Sequence, residues 1–377
     1  MLTLIENGEI YAPAPLGCRD VLILNDRIAK IGEVDRRALR ALGLELQIIG
    51  ASDCIITPGL IDPHQHLLGG SGERGFSTQT PEILASELAS AGITTVVGCL
   101  GVDTTTKTMA ALLAKAKGLN EEGLTAYIWS GGYNVPPTTL MSGVREDILF
   151  ISEVIGAGEI AIADARATAR DPLELSKLIR DAYVGGLLSR KCGVTHFHVG
   201  DEKSRLKLLR TLIDDFEVNP ALIYPTHVER NEELMREAIE LAGRGSYVDI
   251  DTVEQDLPKW LRFYLDNGGD PARLTISSDA SVNSPQSLFE QVRSCVLEHD
   301  FPLEQALALV TTNTAAVLKL ADKGRIEVGC QADALVLRRG SLEIKDVIAR
   351  GRRLVRDGQL AFGENFRSES NRYRRRC

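Results

Sequence analysis

Short apolar runs broken by turn residues occupy residues 2–56, as LTLIENGEIY, DVLILNDRIAKIGE and LQIIGASDCIIT. VLIL and IAKI flank Asn25-Asp26-Arg27, the pattern of a β-hairpin. From Ile55 the texture changes, and apolar runs alternate with stretches of helical period, as parallel βα units require. Eight such runs follow one another: CIITPGLIDPHQH, TTVVGCLG, LTAYIWSGG, EIAIADAR, VTHFHVG, ALIYPTHV, SYVDID and LTISSDA. PEILASELASAG and EELMREAIELAGRG are examples of the helical segments between them, and Gly92 and Gly123 suit helix C-caps. Eight units over residues 57–324 match a (β/α)8 barrel of the TIM type. After Lys323 the β texture returns in GRIEVGCQADALVLRRG and DVIARGRRLVRDGQ. The expected organisation is a barrel over 57–324 and a small β-sandwich built from 1–56 plus 325–377. The tail SESNRYRRRC reads as a solvated end.

Composition narrows the function classes. The chain has 377 residues, 44% of them hydrophobic, enough for a sizeable core. Its 43 Lys and Arg stand against 52 Asp and Glu, so a nucleic-acid or acidic-membrane surface is not expected. No apolar stretch reaches the roughly 18 residues of a membrane span, and MLTLIENGEIYAPAP has no signal-peptide character. Seven scattered cysteines without a CxxC pair read as reduced thiols of a cytoplasmic protein.

The candidate chemistry lies at the ends of the runs. Two of the six histidines form His64-Gln65-His66, and in an extended segment both point to one face. His198 closes the fifth run, His227 the sixth and Asp279 the eighth, while Glu159 opens the fourth. Taken singly, each reads equally as a satisfied core histidine or an exposed acid. Together, four imidazoles and two carboxylates at one barrel mouth form a donor set for Zn, and less often Fe, Mn or Co. A carboxylate between two such ions would reduce their repulsion, and water bound to them would ionise near pH 7 to give a hydroxide nucleophile.

GLIDPHQHLLGG, FHVGD, PTHVER and ISSD resemble the metal motifs of the amidohydrolase superfamily, and the likeness runs almost end to end. GGSGERG, TPE and GGYNVPP are similar to its isoaspartyl dipeptidase branch. The resemblance implies that His64 and His66 bind one metal and His198 and His227 the other. It makes Asp279 a ligand of the first metal and the general base and acid, and makes Tyr133 the donor to the developing oxyanion. A loop tyrosine packed on a strand is the alternative for Tyr133. Glu73, Arg166 and Arg230 match a substrate clamp, which suits a β-aspartyl dipeptide with its one ammonium and two carboxylates. Ser284 is a weaker substrate-binding candidate, because its loop is one residue longer than the family pattern.

Two positions depart from that pattern. Glu159 stands where the family has a carboxylated lysine, which keeps the charge but shortens the reach. VIGAGEIAI, one residue longer than in the dipeptidases, offers part of the compensation. Val102 replaces a threonine near the substrate. His196 is read as a core residue, or one behind the ligands, rather than a further ligand. The expected activity is hydrolysis of a small charged amide with two divalent ions, Zn first, in a homo-oligomer. A one-metal site is the alternative centre. N-acyl amino acid deacetylation, cyclic amide hydrolysis or deamination are the alternative activities, and a catalytically silent binding barrel is the non-enzyme alternative.

Overall fold

The computed structural model describes residues 2–70 and 72–369. The N-terminal strands are β1 (Leu2–Tyr11), β2 (Pro15–Leu24), β3 (Arg27–Ile31), β4 (Leu46–Gly50) and β5 (Cys54–Pro58). Eight strands follow, β6 (Leu60–Gln65), β7 (Ile93–Gly98), β8 (Thr125–Ser130), β9 (Val154–Ile162), β10 (Thr195–Val199), β11 (Ile223–Thr226), β12 (Val248–Asp251) and β13 (Leu274–Ser277). The last four are β14 (Ala334–Arg338), β15 (Ile344–Ala349), β16 (Arg352–Arg356) and β17 (Gln359–Leu360).

The two ends of the chain combine in one nine-stranded mixed sheet, in the order β17-β16-β15-β14-β5-β1-β2-β3 with β4 on β1. Its hairpin is the expected one. Leu24 pairs with Arg27 across Asn25, whose φ of 53° suits a tight turn. Alternate residues such as Ile5, Val21, Ile23, Ile56, Val336 and Ile348 bury one apolar cluster. A short helix, Arg36–Ala41, interrupts this β region, with Asp35 capping it through the Arg37 N–H.

The first apolar run proves to be two strands. Its beginning, β5, belongs to the terminal sheet, and its end, β6, opens the parallel one. Gly59 makes the switch, where a Cβ would lie 2.3 Å from Thr94 Oγ1 on the adjoining strand. From there β6 to β11 run parallel in chain order in a curled six-stranded sheet, and β12 and β13 form a second parallel pair. β12 lies against β11 and β13 against β6, and a parallel bridge joins Gln65 to Ala280. These strands are buried along nearly their whole length, which is why they read as continuous apolar runs.

One irregularity positions the chemistry. Opposite β10, the register steps from Thr195–Ala157 to Phe197–Ile160, so β9 carries an extra residue at Gly158-Glu159. A bulge of this kind re-aims a side chain, and here it presents Glu159 to the sheet's inner face. Gly158 has φ of 147°, and a Cβ there would sit 2.9 Å from that of His196.

Five of the six described cysteines are buried and all six are free. No helix among the described residues is long and apolar enough to cross a membrane. The basic tail beyond Glu369, with Cys377, lies outside the described residues.

Candidate metal centre

The predicted donors converge. His64 lies near the end of β6, His198 lies on β10, His227 follows β11, and Asp279 lies two residues past β13. His227 (φ 63°) and Asp279 (φ 47°) both adopt left-handed backbone, a conformation residues other than glycine occupy at a cost.

Glu159 lies between two groups, one carboxylate oxygen facing each. Oε2 is 3.4 Å from His64 Nε2 and 3.8 Å from His66 Nε2. Asp279 Oδ1 completes that group, 3.3 and 3.2 Å from the same two nitrogens. Oε1 faces the other way, 2.7 Å from His198 Nδ1 and 3.5 Å from His227 Nε2. Ligands about 2.1 Å from a tetrahedral ion stand roughly 3.4 Å apart, so most of these spacings suit coordination. His64 Nε2, Glu159 Oε2 and Asp279 Oδ1 are buried polar atoms with no hydrogen-bond partner. A cation among them satisfies all three at once, so the residues fit the metal that the donor set implies.

The electrostatics agree. Burial alone would raise the Glu159 carboxyl, but His64, His198 and His227 outweigh it and hold that group well below the usual carboxylate range. Asp279 is lowered in the same way, by His64 and His66 against burial.

Behind the ligands stand further groups, of which the sequence singled out only His196. Asp251 Oδ2 accepts from His227 Nδ1 at 2.6 Å, and Asp164 Oδ2 lies 3.1 Å from His198 Nε2. Against the opposing effect of burial, Asp251 and Glu159 push His227 up to about 9. Cys99 Sγ is 3.7 Å from His66 Nδ1, and His196 Nε2 is 2.8 Å from His64 Nδ1. Both acids end apolar runs that the sequence displays, in IAIAD and VDID, and that position was their only signal.

Tyr133 is buried with its hydroxyl 2.9 Å from His198 Nδ1. Burial, then Glu159, raises its ionisation well above the ordinary range, so it stays an O–H donor. Arg166 stacks over the Tyr133 ring, is gripped by Asp164, and donates to Glu73 Oε1 at 2.7 Å. Arg230 donates from Nε to the Val199 carbonyl. A cavity of about 570 Å³ brings Glu73, Tyr133, Arg166 and Arg230 together with His198 and Asp279, and Val102 lines it too. A second cavity of about 280 Å³ shares Arg230 and Asp279 and reaches Glu229, Glu254 and Trp260. Ser284 is not brought in. It is exposed, its Oγ accepts from the Gln286 N–H at the start of the next helix, and Ser281 lines the larger cavity instead.

Known proteins match this chain at two levels. The Amidohydrolase family model matches residues 260–354. A β-aspartyl dipeptidase structure from the thermophilic, keratin-degrading Fervidobacterium islandicum AW-1 is 37% identical, covers 97% of this chain and 100% of its own, and superposes with a TM-score of 0.92. Its complex with the β-Asp-Leu dipeptide matches at 36% identity over 97% and 99% of the two chains, again with a TM-score of 0.92. A dihydroorotase of Streptococcus pyogenes is 30% identical over 189 residues, 48% of this chain. That match spans only 39% of the dihydroorotase. With a relative more than one-third identical along its full length, and with the family's metal-binding motifs gathered at one mouth, the chain belongs to the amidohydrolase family.

Proposed function

We propose that the protein hydrolyses a small amide with charged ends, first of all a β-aspartyl dipeptide, at a centre of two divalent ions, with Zn ahead of Fe, Mn or Co. The observation that carries this reading is one cavity lined both by three of the donors, His66, His198 and Asp279, and by an acid with two arginines, Glu73, Arg166 and Arg230. His64, His66 and Asp279 would hold one ion, His198 and His227 the other, and Glu159 both. Bound there, the ions would polarise the carbonyl and make water a nucleophile at neutral pH. Asp279 takes the proton of the attacking water and delivers it to the departing amine nitrogen. The Tyr133 hydroxyl donates to the carbonyl oxygen as negative charge develops on it. Arg166 and Arg230 meet the substrate carboxylates, and Glu73 meets its ammonium.

The same reading takes the two parallel sheets as one (β/α)8 barrel over 57–324. It takes the nine-stranded sheet as the small β-sandwich, built from 1–56 and 325–377. A homo-oligomer in the cytoplasm completes it.

Relatives named dihydroorotase favour a second reading, hydrolysis of a cyclic amide bearing a carboxylate, which the two arginines also suit. The test is release of leucine from β-Asp-Leu by metal-loaded protein, with α-Asp-Leu, N-acetyl-leucine and dihydroorotate in parallel. Cleavage of the β-linked peptide alone is the expected result. Turnover of dihydroorotate or N-acetyl-leucine in its place overturns the dipeptidase reading. A purified protein that takes up no metal returns the silent binding barrel.

A further inference from the structure

His196 is fully buried two residues before a metal-ligand candidate and lines neither cavity of the centre. Its ring stacks on Trp129, with centroids 5.2 Å apart, and tilts against Tyr224 at 4.6 Å. Both ring nitrogens are engaged. Nδ1 lies 2.9 Å from the Tyr224 carbonyl oxygen, and Nε2 lies 2.8 Å from His64 Nδ1.

The proton positions along this chain follow from chemistry. A backbone carbonyl can only accept, so His196 Nδ1 carries the hydrogen. In a neutral ring Nε2 is then the acceptor, and the hydrogen between the two rings belongs to His64 Nδ1. His64 Nε2 is left with a bare lone pair, and this is the atom that faces Glu159 Oε2 and Asp279 Oδ1 without a hydrogen-bond partner. A flipped His196 tautomer would aim an N–H at His64 and force a hydrogen onto its metal-facing nitrogen.

We propose that His196 is a positioning residue that locks His64 in the tautomer able to bind a metal ion. It does for His64, with a neutral imidazole, what a carboxylate does for His198 and His227. The proposal rests on the reading of His64 as a ligand, and extends it to a residue that touches neither metal nor substrate.

Two substitutions separate hydrogen bond from packing. An amide in His196→Gln places its oxygen near the former Nε2, within reach of His64 Nδ1, and gives up the Tyr224 contact. An amide in His196→Asn sits near the former Nδ1, keeps a donor for Tyr224 and falls short of His64. Metal-stripped wild type and both variants are titrated with Zn²⁺ against a chromophoric chelator, and bound metal is counted by mass spectrometry. Circular dichroism verifies folding. Expected is a 10–100-fold weakening of one of the two equivalents in His196→Asn, the usual cost of losing a ligand's hydrogen-bond partner, with His196→Gln within a few fold of wild type. Equal behaviour of the two variants, whether both keep or both lose the metal, overturns the proposal. Wild type that binds no metal overturns the ligand reading instead.

A second measurement needs no variant. With only six histidines, ¹⁵N-histidine labelling of the full chain resolves each ring's tautomer. His196 and His64 are both expected as Nδ1–H forms, and an Nε2–H signal from His196 overturns the assignment whatever the variants do.

Discussion

His64 and His66 stand on one side of Glu159 and His198 and His227 on the other, and the two pairs are held differently. The first pair is backed by His196 behind His64 and Cys99 behind His66, and has a carboxylate, Asp279, among the donors. The second pair has no carboxylate of its own among the donors apart from the shared Glu159. Its anions lie behind the rings, Asp164 on His198 and Asp251 on His227. A carboxylate behind an imidazole raises its basicity as a ligand. Each side therefore gains negative charge, one by direct contact and the other through the ring. The lesson is that ligand identity alone does not describe the centre, since two His₂ pairs around one shared carboxylate carry their charge in different places.

The largest effect is expected where the halves meet. Glu159→Gln removes the one charge both groups share, and metal content on both sides should fall. β-Asp-Leu cleavage should fall by more than the roughly 100-fold that a ligand's partner accounts for. Retention of one full equivalent of metal would break the comparison, by making one half independent of Glu159. Next, Tyr133→Phe should lower kcat by about 100- to 1,000-fold, the cost of one oxyanion donor, with metal content unchanged. If metal is lost as well, its contact with His198 matters more for the second half than its donation to substrate.

A pH experiment reads the protons that metal would replace, that of His227 in the second half among them. In chelated protein, folding raises His227 from an ordinary 6.5 to about 9. The native state then binds more protons than the unfolded state between these values. The resulting stability is fully present below pH 6.5 and is lost as pH rises through 9. His227 by itself should cost chelated protein about 3 kcal/mol over that window, read from urea midpoints. His64 and His66, raised in the same direction, add to that loss, and zinc-loaded protein should lose much less, because metal replaces the protons. A flat profile in the chelated protein would remove the His227–Asp251 ion pair from the account. The smallest effect is expected for Asp251→Asn, a 10–100-fold weaker hold on one metal with the other untouched, measured by chelator competition. Equal weakening of both metals would show that the halves do not act separately.

Particular residues show how far the sequence could be read. Each of the eight apolar runs holds a strand, and five of the runs carry the donors, because a strand buried on both faces leaves an unbroken apolar signature. The pairing of His64 with His66 followed from the two-residue period of an extended chain, whereas the bulge at Gly158-Glu159 shows only in the register against β10. The helix Arg36–Ala41 was missed, since six residues with one buried leucine make too short a pattern. The split of the first run at Gly59 was missed too, for both pieces are equally apolar. Ser284, the weaker substrate candidate, is exposed, and Ser281 of the same loop lines the larger cavity instead.

What the sequence determined by itself is local: which segments are strands, and which donors stand at their ends on one face. Only the tertiary structure decided what backs each donor. Asp251 reaches His227 from β12, Asp164 reaches His198 from beyond β9, and His196 reaches His64 from β10. Side-chain periodicity reports the direction a residue faces within its own strand. Hydrogen bonds between strands depend on register, on one bulge and on how the sheet curls, and these arise only when strands far apart in the chain pack together.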